Sequence, residues 1–115
     1  METIEDWLRK IKECEELIVV EGKKDKAALE SLGVTNIRCL SNPLFQEVED
    51  IVKEHKKVII LTDLDKEGKK IYGRLRKDFN RFGVDVDNKF REWLFKNTKL
   101  RQIEGIDTYL RNHAQ

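Results

Sequence analysis

The stretch from Val58 to Gly68 limits what this chain can fold into more than any other. Val58, Ile59, Ile60 and Leu61 follow one another without a polar break, and polar Glu54, His55, Lys56 and Lys57 precede them. Such a run, rich in β-branched side chains, is what a strand buried on both faces requires, as in a parallel sheet covered by helices on each side. A strand is therefore predicted over 58–61. It leads directly into Thr62-Asp63-Leu64-Asp65-Lys66-Glu67-Gly68. In extended backbone alternate side chains share a face, so Asp63 and Asp65 project together from the strand's carboxyl end. Two carboxylates that close resist joint ionisation unless a cation compensates. Hard carboxylate oxygens suit Mg²⁺, which takes one or two of them and keeps waters for a phosphate. The competing reading makes the same acids solvated turn residues or a helix N-cap.

A second stretch repeats the design. Leu17, Ile18, Val19 and Val20 are followed by Glu21-Gly22-Lys23-Lys24-Asp25. In an open parallel sheet the strand carboxyl ends line one edge, where ligands bind. Glu21 is thus expected on the edge that carries Asp63 and Asp65. An apolar strand closed by Glu21-Gly22, followed by an apolar strand closed by Asp63-Leu64-Asp65 with Gly68, resembles the Toprim domain. That domain is shared by type IA and type II topoisomerases, bacterial primases, old-family nucleases, recombination-repair proteins and the nuclease that matures bacterial 5S ribosomal RNA. The likeness covers about residues 16–86. Glu21-Gly22-Lys23-Lys24-Asp25 and the Thr62 to Gly68 string look closest to the ribosomal-RNA maturase and primase branches.

The resemblance implies an α/β, Rossmann-like sandwich with a mainly parallel sheet of about four strands and helices on both faces. It also implies that Glu21, Asp63 and Asp65 form a site for Mg²⁺ or Mn²⁺, with Glu21 as a metal ligand or a general acid/base. Asp25 belongs to the resembled motif, as a supporting acid or a helix N-cap. Glu104 is an accessory acid by a similar segment in the maturase branch, or a cap of the last helix. Gly22 permits close backbone approach where strand meets helix, and helix amino termini favour anions. Gly22, Lys23, Lys24, Lys66, Gly68, Lys69 and Lys70 are the candidate phosphate or nucleic-acid contacts; each lysine also has a plain reading as a solvated side chain.

Around these stretches the chain reads as one domain, with a motif-bearing core over about 16–86, a helix over 3–14 and a terminal segment over 88–115. Ile4, Trp7, Leu8, Ile11 and Cys14 keep helical spacing after Thr3, a candidate N-cap paired with Asp6. A helix is predicted over 25–32 with Gly33 as terminator, a strand over 37–40, and a turn at Ser41-Asn42-Pro43 on the functional edge, Pro43 suiting the first position of a helix. Phe45, Val48, Ile51 and Val52 form the next buried face. From Gly68 to about Phe82 a helix buries Ile71, Tyr72, Leu75, Phe79 and Phe82. Its other positions are basic: Lys66, Lys69, Lys70, Arg74, Arg76, Lys77 and Arg81 stand against Glu67 and Asp78. This asymmetry carries weight because the net charge is only +1 and says nothing about nucleic acid. A basic helix beside a carboxylate site suits a phosphodiester, since phosphate contacts supply most non-specific affinity. A short strand follows over 84–86. Phe90, Trp93, Leu94 and Phe95 then lie among basic residues; they can stack on bases, but their spacing fits a buried cluster better.

Cys14 and Cys39 have no metal-ligand spacing and are expected to be buried, reduced thiols. No apolar run nears the roughly 18 residues that span a membrane, and the start is acidic, unlike a signal peptide. A soluble, cytoplasmic protein without membrane contact is expected. Tyr72 lies in the buried stripe and Tyr109 near the chain end, so neither presents itself as a topoisomerase nucleophile. Hydrolysis asks only for metal, water and substrate, so a small nuclease acting on RNA or DNA is the first reading. The alternatives are a non-catalytic or partner-dependent nucleic-acid-binding module and, further off, a phosphatase using Asp63 and Asp65 as nucleophile and acid.

Overall fold

The computed structural model describes residues 1–113. Its elements run α1 (Ile4–Glu13), β1 (Leu17–Val20), α2 (Lys23–Ser31), β2 (Ile37–Cys39), α3 (Leu44–Val52), β3 (Lys57–Ile60), α4 (Lys66–Arg81), β4 (Asp85–Asp87), α5 (Lys89–Asn97), a 3₁₀ turn at Ile103–Gly105 and α6 (Ile106–His113). The four strands form one sheet in the order β2-β1-β3-β4, and every pairing is parallel. The two uninterrupted apolar runs are thus the two central strands, β1 and β3, as burial on both faces demands.

Alternation along these strands divides the core. Ile18, Val20, Ile59 and Leu61 face a cluster built with Trp7, Ile11, Leu29, Phe90, Leu94, Ile103 and Ile106, from α1, α2, α5 and the terminal segment. Leu17, Val19, Val58 and Ile60 face Val48, Ile51, Leu75 and Phe79, from α3 and α4. Trp7 is fully enclosed, its indole N–H donating to the Phe90 carbonyl at 2.9 Å and its ring meeting Phe90 edge-on at 6.0 Å. Thr3 caps α1 by accepting from the Asp6 amide at 3.0 Å. Trp93 is half-buried and donates to the Met1 carbonyl at 2.8 Å, so the aromatic cluster of α5 is core rather than a base-stacking platform.

Several expectations change. Helix α4 starts at Lys66 rather than Gly68, because Asp65 caps it, and α2 starts at Lys23 rather than Asp25. Pro43 precedes α3 as its N-cap instead of filling the first helical position. The amides of Ser41 and Asn42 turn to the buried Glu47 carboxylate, at 3.1 and 3.0 Å, and Arg38 reaches the same group at 2.7 Å. The hydrogen bonds from Arg38 and the two amides hold that carboxyl below the usual range against the burial that would raise it. Cys14 and Cys39 are free but only half-buried.

Phe45 and Phe82 are not core. They are 58% and 53% exposed and line one shallow depression with Val48, Arg74 and Arg81. Phe82 is the C-cap of α4, where helical periodicity no longer fixes a side chain's direction. Phe45→Ser and Phe82→Ser are each expected to change unfolding free energy by less than about 0.5 kcal/mol, as ordinary surface substitutions do; urea titration measures this. A loss several times larger would restore these rings to the core.

Candidate metal centre

The register of β1 against β3 builds the site. Val19 pairs with Ile60, so two residues on Glu21 stands level with Thr62, beside Asp63. The Asp63 amide donates to Glu21 Oε2 at 2.6 Å. The Asp63 carboxylate in turn accepts the Ile103 amide at Oδ1, at 2.8 Å. Asp65 Oδ1 accepts the Gly68 amide at 2.8 Å, which makes it the N-cap of α4. Each acid therefore commits one oxygen to the main chain and keeps a second. The three residues each offer a carboxylate oxygen within 4.8 Å of the others. The cap reading and the cluster reading of Asp65 hold together, because a carboxylate has two oxygens.

Glu21 and Asp63 are half-buried and Asp65 is exposed. Burial pushes the Glu21 carboxyl up, the Asp63 amide works against this, and the charges of Asp63, Asp65 and Asp25 push it further up. Asp63 is also raised by burial first; the Ile103 amide opposes, Asp65 and Glu104 add to the rise, and Arg91 lowers it. Asp25, 6% exposed, is raised by burial and then by Asp63. Three anionic hard-oxygen ligands at this spacing, with the charged forms of Glu21 and Asp63 disfavoured, fit a small divalent cation.

The other candidates fall into place unevenly. Asp25 sits in the first turn of α2 and accepts the Gly22 amide at 3.0 Å; the N-cap itself is Gly22, not Asp25. Gly22 and Gly68 both spend their N–H groups inside the protein, on Asp25 and Asp65, so neither amide is free for a phosphate. Lys23, Lys24, Lys66, Lys69 and Lys70 are exposed near the amino termini of α2 and α4, and none makes an ion pair with the three acids among the described residues. Glu104 lies in the 3₁₀ turn, close enough for its charge to raise Asp25 and Asp63. A cleft of about 850 Å³ opens beside Asp65, walled by Lys24, Ala27, Lys99, Arg101 and Glu104.

Arg91 went unread in the sequence. It is 8% exposed, donates from Nε to the Thr62 carbonyl at 2.9 Å and from Nη2 to the Asp63 carbonyl at 2.7 Å, and stacks over Tyr72 and Phe95. The signal that finds it is spacing: Arg91 shares the apolar stripe of α5 with Leu94 and Phe95, three and four residues on.

A parallel four-stranded sheet with acids at the ends of its two central strands is the architecture anticipated from the resemblance. Residues 16–95 match the Toprim domain, and the chain belongs to the Toprim domain family, whose domain implies a metal-binding, nucleic-acid-related function. Over 96% of its length the chain is 34% identical to the UPF0292 protein of Methanocaldococcus jannaschii, covering 88% of that protein. Over 85% of its length it is 38% identical to the UPF0292 protein of Pyrococcus horikoshii, covering 74% of it. Among solved structures, a protein from Aquifex aeolicus superposes with a TM-score of 0.84 at 32% identity, over 90% of this chain and 98% of that one. The segment that supplies the Ile103 amide lies beyond the matched residues. No helix among the described residues is long and apolar enough to cross a membrane.

Proposed function

We propose that this protein is a metal-dependent nuclease that hydrolyses phosphodiester bonds in RNA or DNA. One observation carries the reading: Glu21, Asp63 and Asp65 each give one oxygen to a backbone amide while oxygens of all three converge within 4.8 Å. Mg²⁺ or Mn²⁺ held by Asp63 and Asp65 supplies Lewis-acid polarisation of a phosphoryl oxygen. Glu21 joins those ligands or handles the proton. Burial and its acidic neighbours let its carboxyl hold a proton closer to neutral pH than a free glutamate does. It can then give that proton to a departing oxygen or take one from an attacking water. Lys23 and Lys24 on α2, with Lys66, Lys69 and Lys70 on α4, flank the acids with cations that bind phosphates on either side of the scissile bond. Lys99 and Arg101 extend this along the cleft that begins at Asp65. Asp25 and Glu104 act through charge, raising the carboxyls they adjoin.

The test is cleavage of end-labelled structured RNA, single-stranded DNA and duplex DNA, with Mg²⁺ or Mn²⁺ against EDTA. Cleavage is expected only with metal, and Glu21→Gln is expected to slow it by about 100-fold or more, the scale of lost acid–base catalysis. Binding without cleavage of any substrate would make the protein a nucleic-acid-binding module. Turnover of an aryl phosphate that depends on Asp63 would make it a phosphatase.

A further inference from the structure

We propose that Arg91 is a positioning residue for the acidic cluster: its guanidinium fixes the two peptide planes that flank Asp63 and so sets where that carboxylate points. The Thr62 carbonyl belongs to the peptide plane before the Asp63 Cα and the Asp63 carbonyl to the plane after it. Arg91 binds both, at 2.9 and 2.7 Å. With both planes held, the backbone dihedrals of Asp63 are held, and with them the direction of its Cα–Cβ bond. The plane after Asp63 is pinned from its other end as well, by the Leu64 amide donating to the Arg101 carbonyl at 2.8 Å.

The guanidinium is itself held rigidly. Its centre lies 4.6 Å from the Tyr72 ring centre and 5.4 Å from that of Phe95, one ring from α4 and one from α5. A planar fork suits two neighbouring acceptors in a way that a point charge does not. Burying a guanidinium is costly where an apolar side chain of similar volume would pack as well, and the charges of Glu21 and Asp63 offset only part of that cost. The expense is explained if the geometry of the turn is what matters. This inference rests on reading the three acids as a divalent-cation site.

Arg91→Met keeps the stem volume between the two rings and removes both charge and fork; Arg91→Lys keeps the charge and removes the fork. Two readouts apply. The first is amide hydrogen exchange across residues 62–68 and at Ile103, in EDTA, with β1 as internal reference. The second is Mn²⁺ affinity, from the paramagnetic resonance of free Mn²⁺ during titration. Both variants are expected to exchange these amides faster and to bind Mn²⁺ about tenfold more weakly, the lower end for a residue that orients a ligand. If Arg91 acts only through its charge, Arg91→Met will bind Mn²⁺ more tightly than the parent and Arg91→Lys will match it; that result overturns the proposal. So does unchanged exchange, or faster exchange with unchanged affinity. Should the parent itself take up no Mn²⁺, the metal reading falls, and exchange alone decides whether Arg91 holds the turn.

Discussion

Gly68→Ala is expected to lower the unfolding free energy by about 3 kcal/mol and to abolish Mn²⁺ uptake. A Cβ at this position would overlap the Asp63 carbonyl oxygen and lie 2.7 Å from the Asp63 carbonyl carbon and 2.9 Å from its nitrogen. The obstruction is backbone, so no rotamer change relieves it. Nor can residue 68 withdraw freely. Its N–H donates to Asp65 at 2.8 Å and its carbonyl accepts the buried Thr62 hydroxyl at 2.9 Å. Overpacking costs about 1–3 kcal/mol, and each hydrogen bond broken in relieving it adds roughly 1 kcal/mol. The same displacement would disturb Asp63 and Asp65 together. Gly73 is the control within the same helix: nothing lies within 4 Å of a Cβ there, and it is exposed. Gly73→Ala is expected to raise stability by about 1 kcal/mol through helix propensity alone. Urea titration of both variants, with Mn²⁺ binding measured in each, gives opposite signs if the close approach at Gly68 is real. Matching signs would refute it.

The same contact marks where sequence reasoning stops. The central strands were legible because burial on both faces forces unbroken apolar runs, and 17–20 and 58–61 are such runs. The acids closing them were legible because parallel strands end on one edge. That β1 and β3 are neighbours was not, since equivalent apolar runs carry no record of which pairs with which; only the observed register puts the Asp63 amide on Glu21. Gly68 reads in sequence as the start of a helix, whereas in the fold it is the point where the first turn of α4 presses on the end of β3's extension. Arg91 is hidden for a related reason. Among Lys89, Glu92 and Lys96 it looks like one more surface charge; its place on the apolar stripe of α5 points to burial, but its partners are two carbonyls nearly thirty positions earlier. Phe82 is the opposite case: it continues the helical spacing of Leu75 and Phe79 but lies one residue past the end of α4, where that spacing no longer implies burial.

Asp63→Asn is expected to raise the stability of the metal-free protein at neutral pH and to weaken Mn²⁺ binding by roughly 100-fold or more, since loss of a ligand exceeds the 10–100-fold cost of losing its outer-shell support. Asparagine keeps the oxygen that accepts the Ile103 amide, so the packing contact survives. What changes is ionisation. The Asp63 carboxyl is raised from 3.8 by burial and then by Asp65 and Glu104. The folded state therefore binds this proton more tightly than the unfolded state. Below pH 3.8 both states carry the proton and Asp63 contributes no penalty. As pH rises past 3.8 the unfolded chain releases it first, and the folded state loses stability until its own raised pKa is passed. Asparagine has no proton to release. In EDTA the variant should thus melt above the parent at pH 7, with the gap closing as the pH falls through the ordinary carboxylate range. Mn²⁺ should reverse the order. A ligand at 100 times its dissociation constant stabilises by about 2.7 kcal/mol, and only the parent retains the affinity to benefit. Thermal melts at pH 7 and pH 4 in EDTA, and at pH 7 with Mn²⁺, test the crossing. If Asp63→Asn melts below the parent in EDTA at pH 7, favourable contacts already satisfy the charged carboxylate, and the cluster has no need of a cation.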